Sequence, residues 1–558
     1  MAKPKSKPQL SLECAHVADG AAGIPEEHWS RLFFRFIFGA FDDAQFADMY
    51  DEGGRYPVSP SFLAAITILQ YLFRASDRVA VDNTVMRRDW RVALGIRNDY
   101  VGFCPTVLVR FRQRLVQHGK DREIFTTVLA QLRQLGLLRS RRLRVDATAL
   151  IADVARLSRA DAIQEALRLV VRELHQGYPQ LHQRVDFMRL YELYGEEIWL
   201  GGPGHDERRL ATLAADGRAL LALCADHPVR SQAILGQMLS ENFTFPEDDG
   251  EPPTPLPPGQ RPNDHLVTPH EPDVRVGKRR DQLWLGDSVH IVETAEPDQP
   301  NFCVDVVTVD PRTEDSQMTK TLAERIGFVV PAADTLIADC GYASAANSKQ
   351  LAAQGIELIA PPRDSNYKGK YPAHAFGIDF ARQKALCPQG HESVYWKPVG
   401  RSIRIRFASG ACNGCPRRSE CTTSKRGRYL GLSRDYDQLL WDRRRATEPQ
   451  FRVLHKLRAP IEATISELVH CHGLRRSRYR GAAKRALHAL FAVTALNAKR
   501  MLRCLADDAI SPLARVAYGI QRASGGGSTC LRPPRLGGPG RRNPALPVAN
   551  DCNVGYQM

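Results

Sequence analysis

The sequence predicts an α/β fold: a mixed sheet flanked by helices, interrupted by a helical insertion and preceded by an all-helical region. Three observations predict it. Apolar residues alternate with a period of two in RSRRLRVDATALIADV, residues 139–154, and alternation resumes from residue 283. Helical spacing fills the chain before residue 135 and again between 155 and 240. Between the two alternating blocks lies FPEDDGEPPTPLPPGQRPND, residues 245–264, whose prolines rule out a regular element.

Taken in order, residues 1–135 form the helical region. SPSFLAAITILQYLFRA (59–75) sets a Ser and a Pro before an apolar helical pattern. PTVLVRFRQRLVQHG (105–119) places Arg110, Arg112 and Arg114 among Val107, Leu108, Phe111 and Leu115, either a DNA-facing helix or a solvated basic face. In the strand at 139–154, Leu143, Val145, Ala147 and Ala149 alternate with Arg144, Asp146 and Thr148, which puts Asp146 on the polar face. Residues 155–244 read as the helical insertion and 245–274 as a linker. Strands follow at 283–296, 301–311, 335–344 and 356–365, separated later by helices at 317–327 and 345–354, the alternation of a sheet with crossovers. Asp339 closes the run Leu336, Ile337, Ala338 ahead of a Cys-Gly turn, at the carboxyl end of a strand, where open α/β sheets place their chemistry. On a helix through 455–472, Ile461, Ile465 and Leu468 form the apolar stripe, and His455, Arg458 and Glu462 stack beside it. The tail from 506, rich in Gly, Pro and Arg beyond 523, is expected to be disordered.

The chain has 558 residues and is 43% hydrophobic, enough for two or more cores. Its 77 Lys+Arg against 62 Asp+Glu give a net charge of +15, which favours anionic partners, nucleic acid first. No apolar run approaches a membrane span and MAKPKSKPQL lacks the apolar stretch of a signal peptide, so a cytoplasmic location is expected. Residues 451–505 concentrate twelve Lys or Arg against two acids, Glu462 and Glu467. Such density suits phosphate contacts with strong salt dependence.

Two constellations carry chemistry. Asp146, Asp339 and Glu462, two strand-borne acids and one helix-borne acid, are oxygen ligands suited to a pair of Mg²⁺ ions if the folding chain brings them together. Taken singly, each has a plainer role: a strand-surface acid, a helix cap, an i−4 partner of Arg458. The second constellation lies in residues 380–425. Cys387 in ALCPQGHESVYW (385–396) and Cys412, Cys415 and Cys421 in ACNGCPRRSECTTS (411–424) have the look of a structural four-thiolate Zn²⁺ site, with His391 in reserve. The alternative is a set of reduced thiols in a loop.

RVDATAL around Asp146, IADCGYAS around Asp339 and RAPIEATISELVHCHGLRRSRYRG around Glu462 resemble the three acidic motifs of the DDE transposases of bacterial insertion sequences, with the closest likeness to the group numbered eleven-eighty-two. The likeness runs from about residue 24 to 505 and includes GKRRDQLWLGDSVHIVETAE before the second acid. It implies an RNase H-like core and an enzyme that cleaves and rejoins double-stranded DNA at the ends of its own element, using two Mg²⁺ or Mn²⁺ ions. It further implies that Asp146, Asp339 and Glu462 are the metal-binding acids, that Arg458 is the arginine preceding the glutamate, and that the protein works as a homo-oligomer on paired ends, at the nucleoid when bound to DNA. Three positions depart from the pattern: His455 stands where tyrosine is usual, Val469 where a basic residue is usual, and Asp287 where an aromatic residue is usual. Arg475, Arg476, Arg478 and Arg480 are then expected to serve as DNA contacts, and end recognition falls to the amino-terminal helices. Competing acids at Asp153, Asp305 and Asp310 lack motif context. The rival readings are an RNase H-like nuclease that cuts without joining, and a zinc-containing DNA-binding regulator without chemistry.

Overall fold

The computed structural model describes residues 20–50, 58–97, 99–196, 207–246, 251–279, 281–363, 369–400 and 402–506. The expected tail from 507 and the first 19 residues lie outside them.

The centre of the molecule is a mixed sheet of β1 (Arg142–Ile151), β2 (Arg275–Arg279), β3 (Gln282–Thr294), β4 (Cys303–Val309), β5 (Thr335–Ile337) and β6 (Glu357–Ile359). β3 runs antiparallel to β1 on one side, with Asp146 opposite Ile291, and to β2 and β4 on the other. β5 lies parallel to β1 and β6 parallel to β5. The order is therefore β4-β3-β1-β5-β6, with β2 paired to β3 on the same side as β4, and a short parallel strand lies directly beside the strand that carries Asp146. β5 ends at Ile337 rather than 344, and β6 spans three residues, because the chain turns away through Asp339–Gly341 and Pro361–Pro362.

Helices cover both faces. On one, α9 (Asp315–Val329) packs Leu322 and Ile326 against Leu143, Val145, Val292 and Leu336. α10 (Ala345–Ala353) leads back to β6. On the other face lies the long α14 (Ala482–Ala506), whose stretch from Leu487 to Ala498 is buried throughout. Its Leu487, Phe491, Leu496 and Met501 share one core with Ile291 and Val306 of the sheet and with Phe62, Trp90, Phe111 and Phe125 of the amino-terminal helices. Those helices include α1 (Pro60–Phe73), capped by Ser59, α2 (Asp77–Met86), α3 (Thr106–Gln117) and α4 (Glu123–Gln134). The described part of residues 1–135 is helical, as expected, and packs into the same core as α14.

Residues 155–244 hold α5 (Arg159–Gly177), α6 (Val185–Tyr194), α7 (Glu207–Asp226) and α8 (Gln232–Asn242), with a separate core around Ile163, Leu167, Phe187 and Leu239. The expected linker at 245–274 is packed in its described part. Thr254–Pro255 pairs with Phe243–Thr244, and Glu271, buried, binds Arg485 of α14. Beyond β6 come the hairpin β7 (Gly377–Asp379) and β8 (Lys384–Leu386), then an antiparallel sheet of β9 (Ser393–Val399), β10 (Ser402–Phe407) and β11 (Tyr429–Ser433), with Ile403, Ile405, Leu430 and Leu432 in a small core. α11 (Tyr436–Arg445) returns to the sheet. The single helix expected over 455–472 is two, α12 (Pro449–Lys456) and α13 (Pro460–Cys471), interrupted at Leu457–Ala459 because Pro460 lacks the N–H needed to continue and suits a first helical turn.

Candidate active site

Asp146 sits in the middle of β1 with both faces of the strand covered, so it is buried rather than on a solvated polar face. Its Oδ1 accepts the Ala147 N–H at 2.8 Å and its Oδ2 accepts from Arg458 Nη1 at 3.0 Å. Arg458 also donates through Nη2 to Glu462 Oε1 at 2.8 Å, so one guanidinium joins the first and third motif acids. Glu462 is otherwise open to solvent, with 66% of its side chain exposed. Asp339 follows β5, and its Oδ1 accepts the Gly341 N–H at 2.8 Å.

The interruption between α12 and α13 delivers Arg458, and β1 fixes it. Two residues before Asp146, Arg144 donates through Nη1 to the Leu457 carbonyl at 3.0 Å and through Nε to Glu293 at 2.7 Å. Glu293 also accepts from Thr464 Oγ1 of α13 at 2.7 Å and from Arg500 of α14 at 2.5 Å. The helix carrying Glu462 is therefore bound to the strand carrying Asp146 at two successive same-face positions.

A fourth acid joins them. Asp315 opens α9 with no hydrogen bond to a described residue, and Gly341 separates it from Asp339: a Cβ added there would come within 2.7 Å of Asp315 Oδ2 and 2.8 Å of Asp339 Oδ1. Burial raises the Asp315 carboxyl above the ordinary range, and the charges of Asp339 and Asp146 add to it, opposed by Arg279 and Arg363. Asp146 is raised by burial too, with Asp339 adding, while the Ala147 N–H and Arg458 act the other way. Arg279 is anchored by the Ala147 carbonyl at 3.1 Å and Arg363 by the Cys340 carbonyl at 3.1 Å. Beneath them His290, fully buried, shares a 2.7 Å hydrogen bond with Tyr342, and burial pushes its imidazole down to about 4. His455, stacked on Phe451, is lowered by burial against the opposing effect of a hydrogen bond to the Ala338 backbone.

Among the described residues no group of three or more His, Cys, Asp or Glu stands in a geometry that would hold a metal ion. Arg458 holds Asp146 and Glu462 by ion pairs instead. The chemistry of the donors, four carboxylates with few compensating cations, is nonetheless that of a hard divalent ion.

The arginines expected to meet DNA divide into two kinds. Arg110, Arg476 and Arg480 are exposed, Arg480 lying 3.7 Å from Asp153. Arg112 is a correction: it is buried, bonded to Asp77 at 2.9 Å and stacked on Tyr479, because it falls on the apolar stripe of α3 beside Phe111 and Leu115. Arg114 lies over the Tyr50 ring, Arg475 donates to the Ala149 carbonyl at 2.9 Å, and Arg478 donates to the Ala75 carbonyl at 2.6 Å. Arg475 is thereby held against β1 and Arg478 against the end of α1. Of the competing acids, Asp305 is buried against Arg122 and Arg325, and Asp310 pairs with Arg312. Asp287 is buried against Arg485, a packing role that an aromatic residue would not fill.

Cys387, Cys412, Cys415 and Cys421 line one cavity with His391, and none is in a disulfide. The His391 N–H donates to Cys387 Sγ and the Arg428 N–H to Cys412 Sγ, both at 3.3 Å. Burial raises the Cys421 thiol; Arg428 opposes this and the other three sulfurs reinforce it.

Sequence patterns did not reveal Asp315, Arg279, Arg363 or the His290–Tyr342 pair. An acid in a helix's first turn is too common to be diagnostic, and the run GKRR, though part of the resemblance, gave Arg279 no role of its own.

Residues 386–502 match the family model described as Transposase DDE domain, and residues 20–114 match the model described as Transposase domain (DUF772). The first match contains Arg458, Glu462 and the four cysteines; Asp146 and Asp339 lie outside both. Together the matches support a DDE transposase family, which implies divalent-metal use and DNA as partner. No curated protein and no solved structure matches the chain.

Proposed function

We propose that the chain is a transposase with an RNase H-like core, which cleaves DNA at the ends of its own insertion sequence and joins the freed 3′-hydroxyl to target DNA. The observation that carries this reading is the approach of three motif acids from distant parts of the chain: Asp146 on β1, Asp339 just past the end of the adjacent parallel strand β5, and Glu462 tied to Asp146 through Arg458. The strand order β4-β3-β1-β5-β6, antiparallel in its first three members and parallel thereafter, supports the core assignment. Kinship with the group numbered eleven-eighty-two rests on the motifs.

Asp146, Asp339 and Glu462 would hold Mg²⁺ or Mn²⁺, with Asp315 beside them. When bound, two such ions supply the positive charge that activates water or a hydroxyl and steadies the leaving oxygen at phosphorus. The chain's own groups do the rest. Arg458, already paired to two acids, gains a phosphate as partner; Arg279 and Arg363 flank the acids from the other side and orient the strand. His290, held neutral by burial, keeps extra charge out of the floor of the site.

The four cysteines are the donors for a structural Zn²⁺, and the two N–H···S bonds fit sulfurs carrying negative charge. Zinc measured by mass spectrometry on the purified protein should be one per chain, and lost in Cys412→Ser. Recognition of element ends belongs to the amino-terminal helices, with the protein acting in the cytoplasm, at the nucleoid, as a homo-oligomer on paired ends. Because those helices share a core with α14, deleting them would unfold the protein; Arg110→Ala is the cleaner probe.

The decisive experiment is incubation of the protein with labelled DNA carrying the sequences that flank its gene, in Mg²⁺ or Mn²⁺, beside Asp339→Asn. Metal-dependent cleavage at the ends and joined products, both absent in the variant, are the expected outcome. Cleavage without joining would leave a nuclease, and binding without cleavage a regulator.

A further inference from the structure

The three-stranded sheet β9-β10-β11 presents two unlike faces. Trp396, Ile405 and Leu430 lie in one register row, with Ile403 and Leu432 in a neighbouring one, and turn to the small core. The alternate rows, Tyr395–Arg406–Tyr429 and Lys397–Arg404–Gly431, turn outward, and Lys397, Arg404, Arg406 and Tyr429 are exposed. Arg406 lies 4.4 Å above the Tyr395 ring. No carboxylate of a described residue pairs with Lys397, Arg404 or Arg406. In the adjoining hairpin, by contrast, Lys384 has Glu392 at 3.7 Å.

The three cations on this face, with no acid among them, repel one another at close range, while the two tyrosines beside them add ring faces and hydroxyls. Alternating strand residues repeat every 6.6 to 6.8 Å or so, which places Arg404 and Arg406 at about two steps of the roughly 3.4 Å rise of a DNA strand. Lys397, on the next strand about 5 Å away, widens the row. Arginine, lysine and tyrosine are also the side chains that hold DNA phosphates without reading bases. We propose that this outward face docks the phosphate backbone of duplex DNA.

The face is wired to the acids. β11 runs into α11, which is pinned to α10 by Lys349–Asp435 at 2.8 Å and Ser348–Asp442 at 2.9 Å. Arg443 of α11 donates to the Arg363 carbonyl at 2.9 Å, and Arg363 in turn holds Cys340, the neighbour of Asp339. DNA seated on the sheet would therefore be held by the same framework that positions the second acid, and the zinc-ligand candidates would stiffen the loop between β10 and β11. The inference rests on the DNA-acting reading above and adds to it a surface outside the acidic site.

The test is fluorescence anisotropy of the full chain with a labelled duplex from the element end, in buffer without Mg²⁺, Mn²⁺ or chelator, across a salt series. Lys397→Ala/Arg404→Ala/Arg406→Ala should weaken binding roughly 10- to 100-fold at about 150 mM salt and flatten the slope of log K against log salt by about 2 to 3. A control triple of exposed cations elsewhere, Arg172→Ala/Arg184→Ala/Lys320→Ala, should leave both unchanged. Arg404→Lys/Arg406→Lys, which preserves charge, should bind nearly as the parent does and guards against misfolding of the alanine triple. Unchanged affinity and slope in the alanine triple, or equal losses in the control, would overturn the proposal while leaving the transposase reading intact. A parent protein that fails to bind duplex at any salt would overturn that reading itself.

Discussion

Two arginine–carboxylate networks are rooted in β1 only two residues apart, and they differ in kind. At Arg144 the network is closed: Glu293 is fully buried and receives Arg144, Arg500 and Thr464, so its charge is met on every side. At Asp146 the network is open. Four acids, Asp146, Asp315, Asp339 and Glu462, face one directly bonded cation, Arg458, with Arg279 and Arg363 at longer range. A structural network neutralises itself, because an uncompensated buried charge is destabilising. A working site leaves a deficit for something else to fill, and perturbed carboxyls mark where that deficit lies.

The largest effect should come from the open network. Asp339→Asn is expected to lower DNA cleavage by roughly a thousandfold or more, equivalent to about 4 kcal/mol of lost transition-state stabilisation. Its metal-free thermal stability should stay level or rise, because a repelling charge is removed. A gel assay and a melting curve on the same sample decide it; a variant that melts much lower would show Asp339 to be a structural acid like Glu293.

Glu293→Ala should show the reverse pattern. It strands Arg144 and Arg500 in the core and removes the acceptor for Thr464, at a cost of about 3 to 5 kcal/mol read as a shift in urea midpoint. If Glu293→Ala proves as stable as the parent, the distinction between closed and open networks fails.

How much of this contrast the sequence revealed follows from the kind of signal each part leaves. Period-two alternation located β1 and β3 to within three residues; in β1 it arises because Leu143 and Val145 turn to the α9 core while the alternate Arg144 and Asp146 turn to the arginine–carboxylate networks. The motif acids were legible because each sits in a distinctive local string. Arg112 was misread because a basic residue inside an apolar stripe looks the same in sequence whether it faces solvent or a partner carboxylate such as the half-buried Asp77. Asp315, Arg279 and Arg363 left no signal, since only the fold brings a helix start, a β2 arginine and the segment after β6 beside Asp146. Residues 245–274 were read as a linker from the prolines of 245–264, and composition carries no sign that Glu271 reaches Arg485.

Acidity tests the two cores together. His290, His472 and His488 are each buried neutral, with burial pushing the imidazole down to about 4 from 6.5. A depressed histidine contributes stability fully above about 6.5, and this is lost as pH falls toward 4, because the unfolded chain binds the proton first. At pH 5 each should cost on the order of 2 kcal/mol relative to pH 7.5. Urea midpoints at the two pH values check the sign, and His488→Gln should remove one such increment. A flat profile would mean that these histidines are protonated in the fold.

The smallest effect separates Asp315 from an ordinary helix-start acid. If Asp315 belongs to the open network, Mn²⁺ should stabilise the parent through the carboxylates, and Asp315→Asn should weaken that gain. A tenfold loss of Mn²⁺ affinity lowers the metal-induced stabilisation by about 1.4 kcal/mol at excess ion, a few degrees or less in melting temperature for a chain of this size. In EDTA the same variant should be no less stable than the parent, because a repelled, half-buried charge has been removed. Asp310→Asn, whose acid is already paired with Arg312, should leave the Mn²⁺ shift where it was. Equal Mn²⁺ shifts in the parent and Asp315→Asn would confine the ion to the three motif acids, and Asp315 would then be explained by the dipole of α9 alone.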